Sequence, residues 1–339
     1  PQAHEHGSSH GQTRIIRQAY FEHPDYVPLL RRAYQLWHEL EQASGRQVFF
    51  PCGLLEVGPA DGVIIPGILE SVARHDLPIE RLSPAEANLR YPFVVPDDHE
   101  VILEPTAGYL LVELGVQTHL QLSMSAGAVW KQQRVVEWNS SSDGVTVRTD
   151  SSSFQAGCVV FCGGAWSAQL LGHLGIPLQI LAKHQYWMQA STVIQDTHRL
   201  PTFFFETADG YYYGFPQVSD RGVKLARHDG GTVLPEPTDL SSLKDAQDEA
   251  SVRGFLGKTL PGTQQLAFTQ QACMYTLSPD DHFLLDQHPD APNVYFAAGL
   301  SGHGFKFTPV LGEILCQWAC GESCGLPSDF LRIQRLASP

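Results

Sequence analysis

The chain has 339 residues, 22 Lys or Arg against 36 Asp or Glu, a formal charge of −14 at pH 7, and 43% hydrophobic residues. That apolar content can fill the core of one large domain or of two intertwined ones. So negative a balance argues against nucleic acid and anionic membrane as partners, both of which need a basic face, and no apolar run approaches the roughly 18–20 residues of a membrane span.

The first 12 residues, opening on Pro1-Gln2-Ala3 without an initiator Met or a signal-peptide pattern, read as loop. A helix is expected near Thr13–Tyr20, and a second over Tyr26–Ala43, where Val27, Leu30, Ala33, Leu36 and Leu40 repeat at three-to-four spacing. Val48–Val57 reads as a strand broken at Pro51 and Gly53. Ser83-Pro84-Ala85-Glu86 carries the residues of a capping box with Pro in the first turn. A strand over Val101–Leu103 and a helix over Tyr109–Met124 follow. Val135–Trp138 and Val145–Val147 flank a polar turn, Asn139–Gly144. Cys158–Cys162 is an apolar strand running through Gly163-Gly164 into a helix at Trp166–Leu171, the pattern of an α/β sheet covered on both faces.

Phe203–Glu206 and Tyr211–Phe215 predict a hairpin across Ala208-Asp209-Gly210. Gly222–Arg227 continues as strand, Leu243–Lys258 as an acidic surface helix, and Cys273–Thr276 sits at a strand end. Val294–Ala298 is a strand, Gly299–Gly304 a glycine loop, and Phe307–Cys320 the last long helix. No internal repeat or long linker divides the chain. The seven cysteines, Cys52, Cys158, Cys162, Cys273, Cys316, Cys320 and Cys324, are odd in number and form no C-x-x-C pair, which suits free thiols in a reducing compartment.

In so acidic a chain with six lysines, a lysine set among apolar residues stands out. Lys306 follows Gly302-His303-Gly304-Phe305, where a buried strand passes through three glycines into a helix. Backbone N–H groups and the positive helix end there favour an anion or a developing negative charge; an ordinary tight turn is the plainer alternative. Arg14 and Arg17, three apart beside Ile15 and Ile16, suit a carboxylate or phosphate, or else pair with local acids. Lys224 and His228 share a face if their segment is a strand, and are then either a site pair or a snorkelling lysine at a sheet edge. Cys273, alone among apolar neighbours, reads locally as a small core residue. His4, His6 and His10 lie in a loop without metal-ligand geometry, so no metal is expected. On these residues alone the chain is an acidic α/β protein with a cationic, glycine-lined anion pocket.

Gly7-Ser8-Ser9-His10-Gly11-Gln12-Thr13-Arg14-Ile15-Ile16-Arg17, Ala272-Cys273-Met274-Tyr275-Thr276 and Gly302-His303-Gly304-Phe305-Lys306 together resemble the N-methyl amino acid oxidases: monomeric sarcosine oxidase, N-methyl-L-tryptophan oxidase and the peroxisomal pipecolate oxidases. The similarity runs from Gly7 to about Arg335. It implies an α/β protein of the D-amino-acid-oxidase-like type, with a Rossmann-like FAD domain (1–45, 105–177 and 287–339) and a mixed-sheet, α+β substrate domain (46–104 and 178–286). It implies covalent FAD, held at its 8α carbon by the sulfur of Cys273. His10 and Arg14 would pack against the flavin, and Gly302, Gly304 and Lys306 would face its ring. Arg17 and Lys306 would hold the substrate carboxylate, with Tyr213 and His228 on the substrate side. Lys224 would promote reduction of O2, a cation there stabilising the negative charge that develops as the first electron moves.

The implied reaction oxidises an N-methyl or cyclic secondary L-amino acid with O2, giving an imine that hydrolyses, and H2O2. The implied partners are that small molecule and O2, with the protein a cytoplasmic monomer. The family opens on a strand, a G-x-G-x-x-G turn and a helix that this sequence does not contain, so the chain is expected to be a fragment lacking a βαβ unit of roughly 30 or more residues. The alternative expectation is a non-catalytic module that keeps the anion pocket without FAD.

Overall fold

A computed structural model describes residues 4–337; Pro1-Gln2-Ala3, read above as loop, lies outside them. The first strand, β1 (Thr13–Ile16), occupies the segment expected to be helical. It pairs antiparallel with β6 (Gly108–Leu111), which also pairs with β2 (Phe49–Phe50). The same pairing takes the first residues of the helix expected over Tyr109–Met124, which becomes β6 followed by α4 (Val112–Ser125). Apolar residues at three-to-four spacing do yield α1 (Tyr26–Ser44), which buries Val27, Leu30, Ala33, Trp37 and Leu40 on one face and stops at Gly45 in the left-handed region.

Beyond β2 come β3 (Leu54–Pro59), α2 (Ile64–His75), β4 (Glu80–Leu82), α3 (Pro84–Arg90) and β5 (His99–Glu104). The box at the start of α3 forms as read: Ser83 Oγ accepts from the Glu86 N–H, and the Glu86 carboxylate accepts from the Ser83 N–H. After α4, β7 (Val135–Ser141), β8 (Gly144–Thr149) and β9 (Ser153–Ala156) form a small antiparallel sheet. The β7–β8 turn is tighter than expected, because pairing continues to Ser141 opposite Gly144. Then come β10 (Val159–Phe161), α5 (Ser167–Leu170), β11 (Gln179–Met188), β12 (Thr202–Thr207), β13 (Gly210–Gln217), β14 (Val223–Arg227) and β15 (Thr232–Leu234). The chain ends with α6 (Ala246–Thr259), β16 (Phe268–Leu277), β17 (Leu284–His288), β18 (Ala291–Ala298) and α7 (Thr308–Ala319).

Two sheets position the site. One has the order β10-β18-β17, with β10 and β18 parallel and α7 packed on them. The other has nine strands in the order β15-β11-β14-β13-β12-β3-β5-β4, with β16 also on β11. All nine lie between residues 54 and 277. The expected hairpin is β12–β13, and β12 meets β3 in parallel. Cys273 sits well inside β16 and not at its end.

The nine-stranded sheet has two unlike faces because side chains alternate along each strand. One face carries Leu55, Val57, Phe203, Phe205, Tyr212, Leu225, Tyr186 and Met188. These pack with Val252, Phe255 and Leu256 of α6 into an apolar core. The residues between them point the other way.

Candidate active site

The register shows what that second face holds. Glu56 lies opposite Phe204, Phe204 opposite Tyr213, and Tyr213 opposite Ala226, two residues from Lys224. Lys224 lies opposite Trp187, and Lys183 opposite Cys273. Glu56, Phe204, Tyr213, Lys224, Trp187, Gln185, Lys183, Cys273 and Tyr275 therefore share one face of the sheet. Polar residues at alternate positions of buried strands are costly to place there without partners, so this face is the unusual one.

The N-terminal segment packs over it. The Lys224 ammonium donates to the carbonyls of Gly11 and Thr13 at 2.6 and 2.8 Å and is 1% exposed. β14 is an interior strand, so the edge-lysine alternative does not hold. Burial first, then the Arg14 charge, hold the Lys224 pKa well below the usual lysine range. Arg14 is fixed by the carbonyls of Thr13 and Ser8. His10 is buried with neither ring nitrogen partnered, and burial lowers its pKa.

After β1 the chain bends at Gln18 and Ala19, whose N–H groups are taken by the buried carboxylate of Glu104. This bend, and not helical spacing, brings Arg17 beside the cavity that Arg14 also lines. The Arg17 guanidinium lies 4.6 and 4.4 Å from the ring centres of Tyr20 and Phe21. It donates to Glu22 at 2.7 Å, and its Nε stands 3.5 Å from Glu56. Burial opposes its charge, but Glu22 and Glu56 outweigh burial and raise its pKa. Glu56 is fully buried and pushed up to about 8, by burial first and by Glu104 and Glu22, against the opposing pull of Arg17.

Lys306 enters from the glycine loop between β18 and α7, its Nζ donating to the His303 carbonyl at 2.8 Å and lying over the Tyr20 ring. Burial, and then Arg17, lower its pKa to about 7. His303 Nε2 is 3.0 Å from the Asp281 carbonyl, which only accepts, so Nε2 carries the proton. Burial lowers the His303 pKa to about 4 and keeps the ring neutral, so its bare Nδ1 accepts from the Tyr20 hydroxyl at 2.6 Å. The loop owes its shape to Gly302, at φ +79, where a Cβ would overlap the Tyr275 ring.

A cavity of about 590 Å³ lies between these groups, and Arg14, Arg17, Tyr213, His228, Gly302, Gly304 and Lys306 all line it. His10, Lys224 and Cys273 are buried but absent from its wall. His228 follows β14, with burial and Lys183 lowering its pKa to about 3. The sequence patterns give no role to Glu22, Glu56, Tyr20, Tyr275 or Gln185, although Tyr275 lies within one of the motifs. A Glu five residues after Arg17 was visible as a local acid, but Glu56 reaches Arg17 only through the fold. Among the described residues, every buried side-chain nitrogen or oxygen without a hydrogen-bond partner belongs to His10, Thr13, Arg17, Glu56, Gln185 or Thr276. All six lie on the cavity wall, on the sheet face behind it, or in the segment packed over that face.

The sequence matches the family described as FAD dependent oxidoreductase over residues 2–318. It is 37% identical to a monomeric sarcosine oxidase of Streptomyces avermitilis, covering 99% of this chain and 89% of that protein. It is 35% identical to an N-methyl-L-tryptophan oxidase of Salmonella dublin, covering 98% and 90%. Among solved structures, the open form of the Tyr258Phe mutant of NikD, an unusual amino acid oxidase, superposes with a TM-score of 0.85 at 23% identity, covering 97% of this chain and 88% of that one. L-proline dehydrogenase from P. horikoshii superposes with a TM-score of 0.83 at 20% identity, covering 98% and 88%, so these two share the fold. With the family matched over nearly its whole length, the chain belongs to the FAD dependent oxidoreductase family.

Proposed function

We propose that this FAD-dependent oxidoreductase oxidises an N-methyl or cyclic secondary L-amino acid of the sarcosine or N-methyl-L-tryptophan type, using O2 and releasing H2O2. One observation carries the reading: two cations, Arg17 and Lys306, line one cavity, and on its wall the Arg17 Nε and the Thr276 hydroxyl are buried without hydrogen-bond partners. Each such atom left unpaired costs about 1–3 kcal/mol, so the site is built to be completed by a polar occupant. The named activities of the sarcosine and N-methyl-L-tryptophan oxidases point to the same substrate class. Family membership disfavours the non-catalytic module.

The residues present fit a flavin: His10 offers two buried, unpartnered ring nitrogens, and Arg14, Gly302, Gly304 and Lys306 line the cavity. His10, Arg14, Gly302, Gly304 and Lys306 would hold it, with the Cys273 sulfur bonded to its 8α carbon. When bound, the flavin supplies the two-electron acceptor. Arg17 and Lys306 grip the substrate carboxylate and orient the C–H next to nitrogen. Tyr213 and the neutral His228 wall the substrate side. Lys224, its ammonium held by two carbonyls, answers negative charge that develops on O2.

The division into an FAD-binding part (1–45, 105–177, 287–339) and a substrate part (46–104, 178–286) is supported by the span of the nine-stranded sheet, although β2 at 49–50 pairs with β6. Seven free cysteines suit a reducing compartment such as the cytoplasm, and among the described residues no helix is long and apolar enough to cross a membrane. The test is O2 consumption with sarcosine, N-methyl-L-tryptophan and pipecolate, together with acid precipitation of the purified protein. Stoichiometric H2O2 and a pellet that stays yellow are expected. No turnover of any secondary amino acid would overturn the activity, and colour passing wholly to the supernatant would overturn the bond to Cys273.

A further inference from the structure

Gln185 has no part in the roles above, yet it is built into the site. It lies in the middle of β11, 1% exposed, and its Nε2 donates to the Cys273 sulfur at 3.1 Å. The register makes this contact: Lys183 pairs with Cys273, so Gln185, two residues on, is the diagonal neighbour on the same face. From the other side Gly11, at φ +88, approaches so closely that a Cβ there would overlap the Gln185 carboxamide. The amide is thus clamped between the N-terminal segment and the cysteine, with Oε1 buried and unpartnered.

The nearby cations are engaged elsewhere. Lys183 Nζ donates to the carbonyls of Asp229 and Gly230, and Lys224 Nζ to those of Gly11 and Thr13. Among the described residues Gln185 is the side chain hydrogen-bonded to the Cys273 sulfur. A thiol attacks as its thiolate, and an N–H aimed at sulfur stabilises that anion and fixes its direction.

We propose that Gln185 is a positioning residue for attachment of the flavin, orienting the Cys273 sulfur and stabilising it as a nucleophile. The inference rests on the covalent attachment proposed above. In that step the S–H bond and a C8α–H bond break and an Sγ–C8α bond forms. Two electrons and two protons leave, and O2, the oxidant of the proposed activity, takes them up as H2O2. Gln185 is unchanged throughout.

The test uses the full chain produced under riboflavin limitation and then given FAD in air. Non-covalent binding is read from quenching of flavin fluorescence, and attachment from flavin retained on acid-precipitated protein over time. Gln185→Leu is expected to bind FAD yet attach it about tenfold more slowly, the loss of one hydrogen bond to a developing charge. Gln185→His, which restores an N–H donor, should recover most of that rate, a rescue that mere space-filling would not give. Should the Leu variant fail to bind FAD, Gln185→Glu keeps the shape without the donor and is expected to be as slow. Attachment at the wild-type rate in Gln185→Leu or Gln185→Glu, or no recovery in Gln185→His, would overturn the role of Gln185 alone. Complete release of flavin from the wild-type protein by acid would overturn covalent attachment, and this role with it.

Discussion

Lys306 and Glu56 approach Arg17 from different elements, and both have unusual protonation. Burial lowers Lys306 to about 7 and raises Glu56 to about 8. The consequences for a bound carboxylate have the same sign. Below pH 7 Lys306 is charged and Glu56 neutral, so the cavity is most cationic; as pH rises, Lys306 loses its charge and Glu56 gains one. Binding of a simple carboxylate such as acetate to the holoenzyme, followed through the flavin absorption spectrum, should therefore weaken steadily between pH 6 and 9. Lys306→Met should bind weakly at every pH and lose the limb near 7. Glu56→Gln should keep that limb and lose the one near 8. Affinity that is flat with pH in the wild type would contradict both assignments. Arg17 and Lys306 were legible in sequence because a cation among apolar residues is rare in so acidic a chain. Glu56 was not, since it sits in Leu54-Leu55-Glu56-Val57 with no local partner to mark it.

At the scale of elements, what could be read depended on whether local pattern or tertiary pairing decides the structure. α1 and α3 carry their own instructions, in apolar spacing and a capping box, and both formed where expected. β1 replaces the helix expected there because Arg14, Ile15, Ile16 and Arg17 satisfy a helical stripe as well as a strand, and only pairing with β6 decides between them. β11 carries no local strand signal because Lys183, His184 and Gln185 interrupt its apolar run; it is a strand through its ten-residue ladder with β16. Two of those three residues, Lys183 and Gln185, belong to the functional face of the sheet.

The glycine loop before α7 is the opposite case, legible as a loop but not in the reason for Gly302. Gly302→Ala would force a Cβ into the Tyr275 ring at a positive φ, at a cost of about 1–2 kcal/mol for the backbone and about 1–3 kcal/mol for the overlap. It should lower stability in urea unfolding and loosen FAD. Gly254→Ala in α6, where a Cβ meets nothing within 4 Å, should instead stabilise by about 1 kcal/mol. Equal effects from the two substitutions would remove the steric account of Gly302.

At the scale of the whole molecule, the fold separates two sets of charges that the sequence presents only as scattered cations. Arg17 and Lys306 come from the bend after β1 and from the loop before α7, and both line the cavity. Lys224 comes from an interior strand of the nine-stranded sheet and is tied to Gly11 and Thr13, off the cavity wall. Arg17 pairs with Glu22 and Glu56, so the two residues have no partner in common. If substrate capture belongs to the first set and O2 reduction to the second, substitutions in them should act on different half-reactions and combine independently. In anaerobic stopped-flow, Arg17→Lys, which loses the planar fork but keeps the charge, should weaken substrate binding about tenfold or more while leaving reoxidation by O2 unchanged. Lys224→Met should slow reoxidation by about 100-fold or more, the scale of losing a group that stabilises developing negative charge, with substrate binding nearly intact. The double variant should show both deficits at their single-variant sizes. A double variant much less impaired than their product, or a Lys224→Met protein whose substrate binding falls as far as its reoxidation, would mean that the two sets work as one site.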